Sequence, residues 1–230
     1  VLFRSKLANA GLAIEKLNQL KTLEPSNTAI DKKLAEIYYL KNDFSKAADA
    51  YSRFAMGPKA NEEDLVRYAF ALFLNHDFAK SLEVANMGLK KNPRHAAFNR
   101  LAMYNNTDLK RFEEALKAAD VFFNECDKAD YSYLDYMYYG HLLEELKKYD
   151  EAVGQYEKAV ELDPTKTDLY KNISSVYEQK NDYKKAIGAY HKYYSSLEKE
   201  KQTPDLQFQL GRLYYGAGTQ PDSLTINVEE

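Results

Sequence analysis

The chain has 230 residues, with 32 Lys or Arg against 35 Asp or Glu, so its formal charge at pH 7 is −3. This near balance argues against a nucleic-acid or anionic-membrane surface, because both need a basic excess. Apolar residues make up 45% of the sequence, and the low counts of Gly (9) and Pro (6) favour helices. One cysteine excludes an internal disulfide framework, and no apolar run is long enough for membrane insertion.

A short motif recurs along the chain, in which an aromatic residue is followed three positions later by a small one. The small residues recur at Ala13, Ala47, Ser81, Ala115, Ala152 and Ala186, at intervals of 34, 34, 34, 37 and 34, and all but Ala13 have the aromatic residue. A second small residue lies 12 positions before four of them, at Ala35, Ala69, Gly140 and Ser174. For Ala115 we expect the counterpart to be Ala102, 13 positions back, with one residue inserted in the turn.

Each repeat reads as two antiparallel helices joined by a short polar turn. Apolar residues recur at i, i+3 and i+4 on both sides of the turn, as in Leu34, Ile37 and Tyr38. The small residues mark the place where the two helices cross, since a large side chain would push the axes apart. The aromatic residues should begin the second helices, at Phe44, Phe78, Phe112, Tyr149 and Tyr183. A single pair cannot bury its apolar face, so the pairs should stack.

The segment 133–166 carries the fullest version of the pattern, with Gly140, Leu143, Tyr149, Ala152, Tyr156, Ala159 and Pro164. This pattern resembles the tetratricopeptide repeat family. The resemblance implies an all-α fold, a right-handed α-solenoid of antiparallel helix pairs (TPR superhelix). The near neighbours are half-a-tetratricopeptide and pentatricopeptide arrays, and the charge balance disfavours the RNA-binding pentatricopeptide class. The tryptophan often found early in each repeat is absent, since the chain has no Trp.

The repeat divides the chain into seven segments. A truncated repeat (1–27) should supply only a second helix, and four repeats follow, of which the third contains the insertion (28–61, 62–94, 95–132, 133–166). A fifth repeat (167–203) precedes the first helix of a truncated repeat with a tail (204–230), where Thr203-Pro204 has the form of an N-cap followed by Pro at N1. The three inserted residues should lengthen a turn or helix around Asp127–Asp130.

Half-repeats at both ends predict a fragment of a longer chain. Val1–Ser5 matches the in-frame translation of a common sequencing adapter, and we expect these residues to be foreign to the gene. Asn227–Glu230 has the spacing of a capping pattern for a further helix. We therefore expect exposed apolar residues on the end helices, including Leu7, Leu12 and either Leu210 or Leu213.

The resemblance also implies a binding groove on the concave face, lined by one helical face of each first helix. Its central part should be apolar, with polar flanks. The candidate residues are Val66, Phe70, Phe73, Asn99, Met103, Leu134, Met137 and His141. Aromatic and Met side chains suit a helix or an extended peptide of a partner. The alternative is that these side chains only pack against neighbouring helices. The Lys-then-Asn pattern of the family's carboxylate clamp is absent, which disfavours a chaperone-tail ligand.

Little in the sequence indicates catalysis. None of the four His has a second His or a Cys at i+3 or i+4, so no metal site is expected. There is no glycine-rich phosphate loop and no nucleophile elbow. Cys126 is expected to fill space near a helix end. We therefore expect neither enzyme activity nor a cofactor.

The prediction is a protein-interaction module or scaffold that holds a peptide or helix of a partner protein. Two alternatives stay open: a structural spacer that stacks with other domains or copies, and a regulatory part of a larger multidomain protein. Nucleic acid is not an expected partner. The sequence leaves the partner, the oligomeric state and the compartment open.

Overall fold

The computed structural model describes residues 9–57, 60–126 and 130–218, and every regular element in these ranges is helical. The chain forms two compact units, Val1–Ala129 and Asp130–Glu230. In the first unit the helices are α1 (Ala10–Leu23), α2 (Thr28–Leu40), α3 (Phe44–Ala55), α4 (Glu62–Leu74), α5 (Phe78–Lys91), α6 (Ala96–Asp108) and α7 (Phe112–Asp120), which a π-helical turn (Val121–Glu125) extends. In the second they are α8 (Tyr133–Glu145), α9 (Tyr149–Leu162), α10 (Leu169–Gln179), α11 (Tyr183–Ser196) and, after a 3₁₀ turn (Lys199–Lys201), α12 (Pro204–Gly218).

Within each unit every helix packs against the next one along the chain. The predicted all-α fold, a solenoid of antiparallel helix pairs, is therefore confirmed. The predicted helix starts are also confirmed: a second helix begins at each of Phe44, Phe78, Phe112, Tyr149 and Tyr183, and α12 begins at Pro204. Asp127 lies outside the described residues, as do Leu7, the segment 1–5 and the segment 227–230.

The turns between paired helices share one backbone device. Two positions after the last residue of each first helix lies a residue with a left-handed conformation, with φ between 57° and 60°: Asn42, His76, Lys110, Lys147 and Asn181. At the first turn, the N–H of Asp43 donates to the carbonyl of Tyr38 at 2.9 Å, and the N–H of Asn42 donates to Tyr39 at 3.0 Å. These are the two bonds of a Schellman motif, which satisfies carbonyls that a helix end leaves unpaired.

The left-handed residues provide a register that corrects the prediction for the third hairpin. Each crossing residue of the first helices lies seven positions before its left-handed residue, and in the third hairpin this position is Met103 rather than Ala102. No residue is inserted in that turn. Two cation–π contacts at equivalent positions confirm this alignment. In the first hairpin Lys32 lies 5.0 Å from the ring of Phe54, and in the third hairpin Arg100 lies 5.1 Å from the ring of Phe122.

The small residues lie where the helices of a pair meet, and they are buried. Ala35, Ala47, Ala69, Ser81, Ala115, Ala152 and Ala186 have no exposed surface. In the hairpin α8–α9, a Cβ on Gly140 would come within 2.8 Å of the ring of Tyr156. The phenol of Tyr156 donates to Glu144 at 2.8 Å, so this ring is held in place. The third hairpin places Met103 at this position with no exposed surface.

The extra residues of the third repeat lie in its connection to α8. Seven residues (126–132) separate the π-helical turn from α8, whereas four (92–95) separate α5 from α6. The amide of Cys126 donates to the carbonyl of Val121 at 3.0 Å, which is the spacing of a π turn.

The end helices follow the prediction in part. Leu12 on α1 is 56% exposed, as expected, and Leu210 on α12 is half-buried. Leu213 is only 2% exposed, so Leu210 is the more accessible of the two leucines that the sequence left as alternatives. Leu213 packs into a core with Ala186 and Tyr190, because α12 turns its leucine face toward α11.

Gly140 and Gly154 give a matched test of the crossing. We expect Gly140→Ala to lower the free energy of unfolding by about 1–3 kcal/mol, because its methyl group would overlap the Tyr156 ring. Gly154→Ala on α9 meets open space and should raise it by about 0.5–1 kcal/mol. Urea denaturation followed by circular dichroism measures both. Equal effects of the two substitutions would contradict the close approach.

Lys147 tests the left-handed turn in the second unit. Because a Cβ is disfavoured at its φ of 59°, Lys147→Gly should raise the free energy of unfolding by about 1 kcal/mol. Lys147→Ala removes the same charged chain but keeps the Cβ, so it should leave the urea midpoint nearly unchanged. If the two variants have the same midpoint, backbone conformation does not limit stability there.

Candidate functional site

A cleft of about 570 Å³ lies between α2 and α4 in the first unit, with α3 at its base. We call it the α2–α4 cleft. Its lining residues are Glu36, Tyr39, Leu40, Tyr51, Glu63, Val66, Arg67 and Phe70. Val66 and Phe70 are predicted groove residues, so the structure brings these two together.

Hydrogen bonds fix the polar side of the α2–α4 cleft. The Nε of Arg67 donates to Glu63 at 3.0 Å, and its guanidinium also bonds to the hydroxyl of Tyr51. Burial raises the pKa of Tyr51 to about 12, although Arg67 opposes this rise. Burial also raises the pKa of Tyr39. Both phenols are therefore neutral at pH 7, and the cleft offers aromatic surface next to one ion pair.

A second cleft of about 460 Å³ lies between α10 and α12 in the second unit. Its lining is more polar and includes Lys171, Glu178, Asp205, Gln209 and Arg212. Arg212 binds both carboxylate oxygens of Glu178, with Nη2 to Oε2 at 2.9 Å. This bidentate pair connects the first helices of two successive repeats and limits the apolar surface here.

The other predicted groove residues have different surroundings. Phe73 is buried, with its ring 5.5 Å from Tyr104, and Met103 is fully buried. Asn99 is 4% exposed, and its amide nitrogen donates to the carbonyl of Pro93 at 2.9 Å. In the second unit, Leu134 and Met137 are half-buried on α8, and His141 is exposed on the same helix.

The one-residue correction explains the position of Asn99 and Met103. Counted from the left-handed residues, the equivalents of Val66 and Phe70 in the third hairpin are Arg100 and Tyr104. The sequence placed Asn99 and Met103 there because Ala102 resembles the small crossing residues of the other hairpins. The sequence analysis also missed Tyr51 and Arg67 as residues of the cleft. The only sequence signal was the i, i+4 spacing of Glu63 and Arg67, which is typical of an ion pair on a helix.

The described residues show no assembled metal site: they contain no group of three or more His, Cys, Asp or Glu side chains that could hold an ion. Cys126 is half-buried, and its sulfur accepts from the amide of Asn99 at 3.6 Å. Among the helices described, none is long and apolar enough to cross a membrane.

Paired helices with small crossing residues and clefts between successive first helices define a helical-repeat scaffold. Residues 133–166 match the family model of the tetratricopeptide repeat. The hairpin α8–α9 is therefore a tetratricopeptide repeat, and the other hairpins share its helical architecture. No curated protein matches its sequence.

Three solved structures illustrate the likeness. MamA from Desulfovibrio magneticus RS-1 is 18% identical with a TM-score of 0.65, over 76% of this chain and 97% of that chain. The C-terminal part of a TPR repeat-containing protein from Cytophaga hutchinsonii is 26% identical with a TM-score of 0.58, over 66% of this chain and 57% of that one. Yeast Tom70 is 15% identical with a TM-score of 0.59, over 91% of this chain and 44% of its own. The family is one of generally non-catalytic interaction modules, so the fold suits a scaffold for protein partners.

Ionisation of Tyr51 gives a pH-dependent prediction for the site. Its pKa in the folded protein, about 12, exceeds the ordinary value of 10.0, so its stabilising contribution is complete below pH 10 and is lost as the pH rises toward 12. Between about pH 9 and pH 11.5, the native protein should lose more stability than Tyr51→Phe, by an amount of the order of 1 kcal/mol. Urea midpoints at the two pH values measure this difference. Tyr215→Phe, at a position 76% exposed, is the control and should fall in parallel with the native protein.

Proposed function

We propose that this chain is a non-catalytic interaction module that binds a peptide or helix of a partner protein in the α2–α4 cleft. The observation that carries this proposal is Phe70, a half-buried aromatic side chain in a cleft of about 570 Å³ that also contains Val66 and Leu40. This volume is in the range of ligand pockets. Aromatic side chains in partly closed clefts are typical anchors of protein interfaces.

The polar groups of the cleft would orient the bound segment. Glu63 and Arg67 already pair with each other, so a partner can hydrogen-bond to either without leaving a buried charge unpaired. The phenol groups of Tyr39 and Tyr51 add neutral donors and acceptors. Because all of these residues are on packed helices, little conformational entropy is lost on the module's side.

In the second unit, Leu134, Met137 and His141 share one helix face of α8, and we propose this face as a separate contact surface for a partner. Phe73 and Met103, both buried, would support the surface proposed in the first unit from beneath rather than contact the partner. The proposal includes no cofactor, metal or nucleic acid, in line with the net charge of −3.

Assembly is a second candidate function, and exposed apolar side chains on the end helices favour it. On α1, Leu12 is 56% and Leu23 is 79% exposed; on α12, Phe208 is 70% and Tyr215 is 76% exposed. Apolar faces of this kind mark contact surfaces between proteins. The chain would then act as a spacer that stacks with other domains or copies.

Selection of binders from a displayed library of random peptides tests the first candidate. Peptides enriched on the native chain should bind as synthetic peptides, and Phe70→Glu should weaken them at least about tenfold, because it places a charge in the apolar part of the cleft. Fluorescence anisotropy measures the affinities, and circular dichroism confirms that the variant is folded. Phe70→Leu keeps an apolar side chain and is the matched control, with a smaller loss.

Phe208→Glu separates the two functions. It should leave peptide affinity unchanged and should reduce any concentration-dependent association seen by sedimentation velocity. Peptides that bind Phe70→Glu as tightly as the native chain would contradict the α2–α4 cleft as the binding site. Self-association that Phe208→Glu abolishes, with no enriched peptide, would favour the spacer.

A further inference from the structure

The first unit also contains a cleft between the second helices α5 and α7, with α6 as its floor. We call it the α5–α7 cleft. Its volume is about 490 Å³, and a cleft of about 690 Å³ along α5 adjoins it, sharing Leu82, Asn86, Leu89 and Arg111. The floor is formed by Asn99, Ala102 and Asn106, which are 4%, 4% and 6% exposed. None of these residues lines the α2–α4 cleft.

The cleft exists because α6 has small, polar residues where the other first helices have large ones. Four positions before the left-handed residue, the other hairpins have Tyr38, Leu72, Leu143 and Tyr177, and the third has Asn106. Eight positions before it, the others have Leu34, Tyr68, Tyr139 and Ile173, and the third has Ala102. The side chains that fill the space beneath neighbouring second helices are therefore missing from one hairpin.

Asn106 supplies an independent sign that the cleft accepts a ligand. Its backbone carbonyl accepts from Arg111 at 2.8 Å, but within the described residues its side-chain amide has no hydrogen-bond partner. The equivalent residues of two other hairpins are the leucines Leu72 and Leu143, which could make no such hydrogen bond. The Asn106 side chain is more than nine-tenths buried and lines the cleft, so its donors and its acceptor are available to a molecule that enters.

The rest of the lining narrows the class of ligand. No lining residue is aromatic, so a nucleobase or other flat ring has no surface to stack on. The cations Arg111 and Lys117 are accompanied by Glu114, so the cleft does not select a phosphate or another strong anion. Leu82, Leu89 and Val121 offer apolar surface beside the amides.

A carboxamide offers two N–H donors and one carbonyl acceptor, which match the C=O and N–H of a peptide group. A segment that lies extended leaves these backbone groups unpaired and also presents side chains to the apolar wall. We propose that the α5–α7 cleft is a second binding site, which takes an extended polypeptide segment through its backbone at Asn106 and through apolar side chains at Leu82 and Leu89.

Asn106→Leu is the decisive variant, because it restores the residue of two other hairpins and should not unfold the protein. A displayed library of random peptides is selected on Phe70→Glu, in which the α2–α4 cleft is disabled, and is counter-selected on Phe70→Glu with Asn106→Leu. Enriched peptides, synthesised and titrated by fluorescence anisotropy, should bind the native chain and lose at least about tenfold in affinity with Asn106→Leu. They should contain apolar residues and should need no phosphate or fixed charge.

Asn18→Leu makes the same chemical change at an exposed position of α1 and should leave the affinity unchanged. Asn106→Leu should not lower the urea midpoint, which shows that the loss of binding is not a loss of fold. No enriched peptides, or peptides that bind Asn106→Leu as tightly as the native chain, would overturn the proposal. Peptides from the separate selection on the native chain that bind Asn106→Leu normally but lose affinity with Phe70→Glu support only the α2–α4 cleft, so the two proposals fail separately.

Discussion

The left-handed turn at the end of each first helix sets the register on which the rest of the structure depends. Its Schellman hydrogen bonds fix where one helix ends and the next begins, so the crossing residues meet at a constant distance along the chain. The positive φ is required even where the residue is His76, Lys110 or Lys147, each of which is disfavoured in this conformation. Interhelical packing of the buried crossing residues offsets that cost.

Because the register is the same in all five hairpins, residues at equivalent positions can be compared directly, and a departure from the pattern identifies a hairpin with different packing. Most hairpins have large residues that fill the space below the second helices. The third hairpin has Asn99, Ala102 and Asn106 at these positions instead. The sheltered space and the unpaired Asn106 amide follow from that exchange. A large crossing residue, Met103, occurs in the same hairpin, and it is fully buried. The third hairpin is therefore the most specialised part of the first unit.

Both candidate sites use one strategy, which is to present side chains on helices that are already packed. Phe70 and Tyr51 line the α2–α4 cleft from two successive hairpins, and neither can move without disturbing its own helix pair. In the α5–α7 cleft the floor and walls come from three consecutive helices. Rigid presentation of this kind favours selective binding, since the ordering cost falls mainly on the partner.

The sequence by itself determined the helices, the starts of the second helices and the pairing of small residues in four of the five hairpins, because these follow from local chemistry: an aromatic start, a polar turn and a fixed interval. It could not determine which side chains remain accessible, because that depends on neighbouring helices. Phe70 and Phe73 look alike in sequence, yet only Phe70 lines a cleft, while Phe73 packs against Tyr104 of the next hairpin. Ala102 looks like a crossing residue, and only tertiary packing revealed that Met103 takes this place. Leu213 likewise becomes buried because α12 packs against α11, a contact that local sequence does not encode.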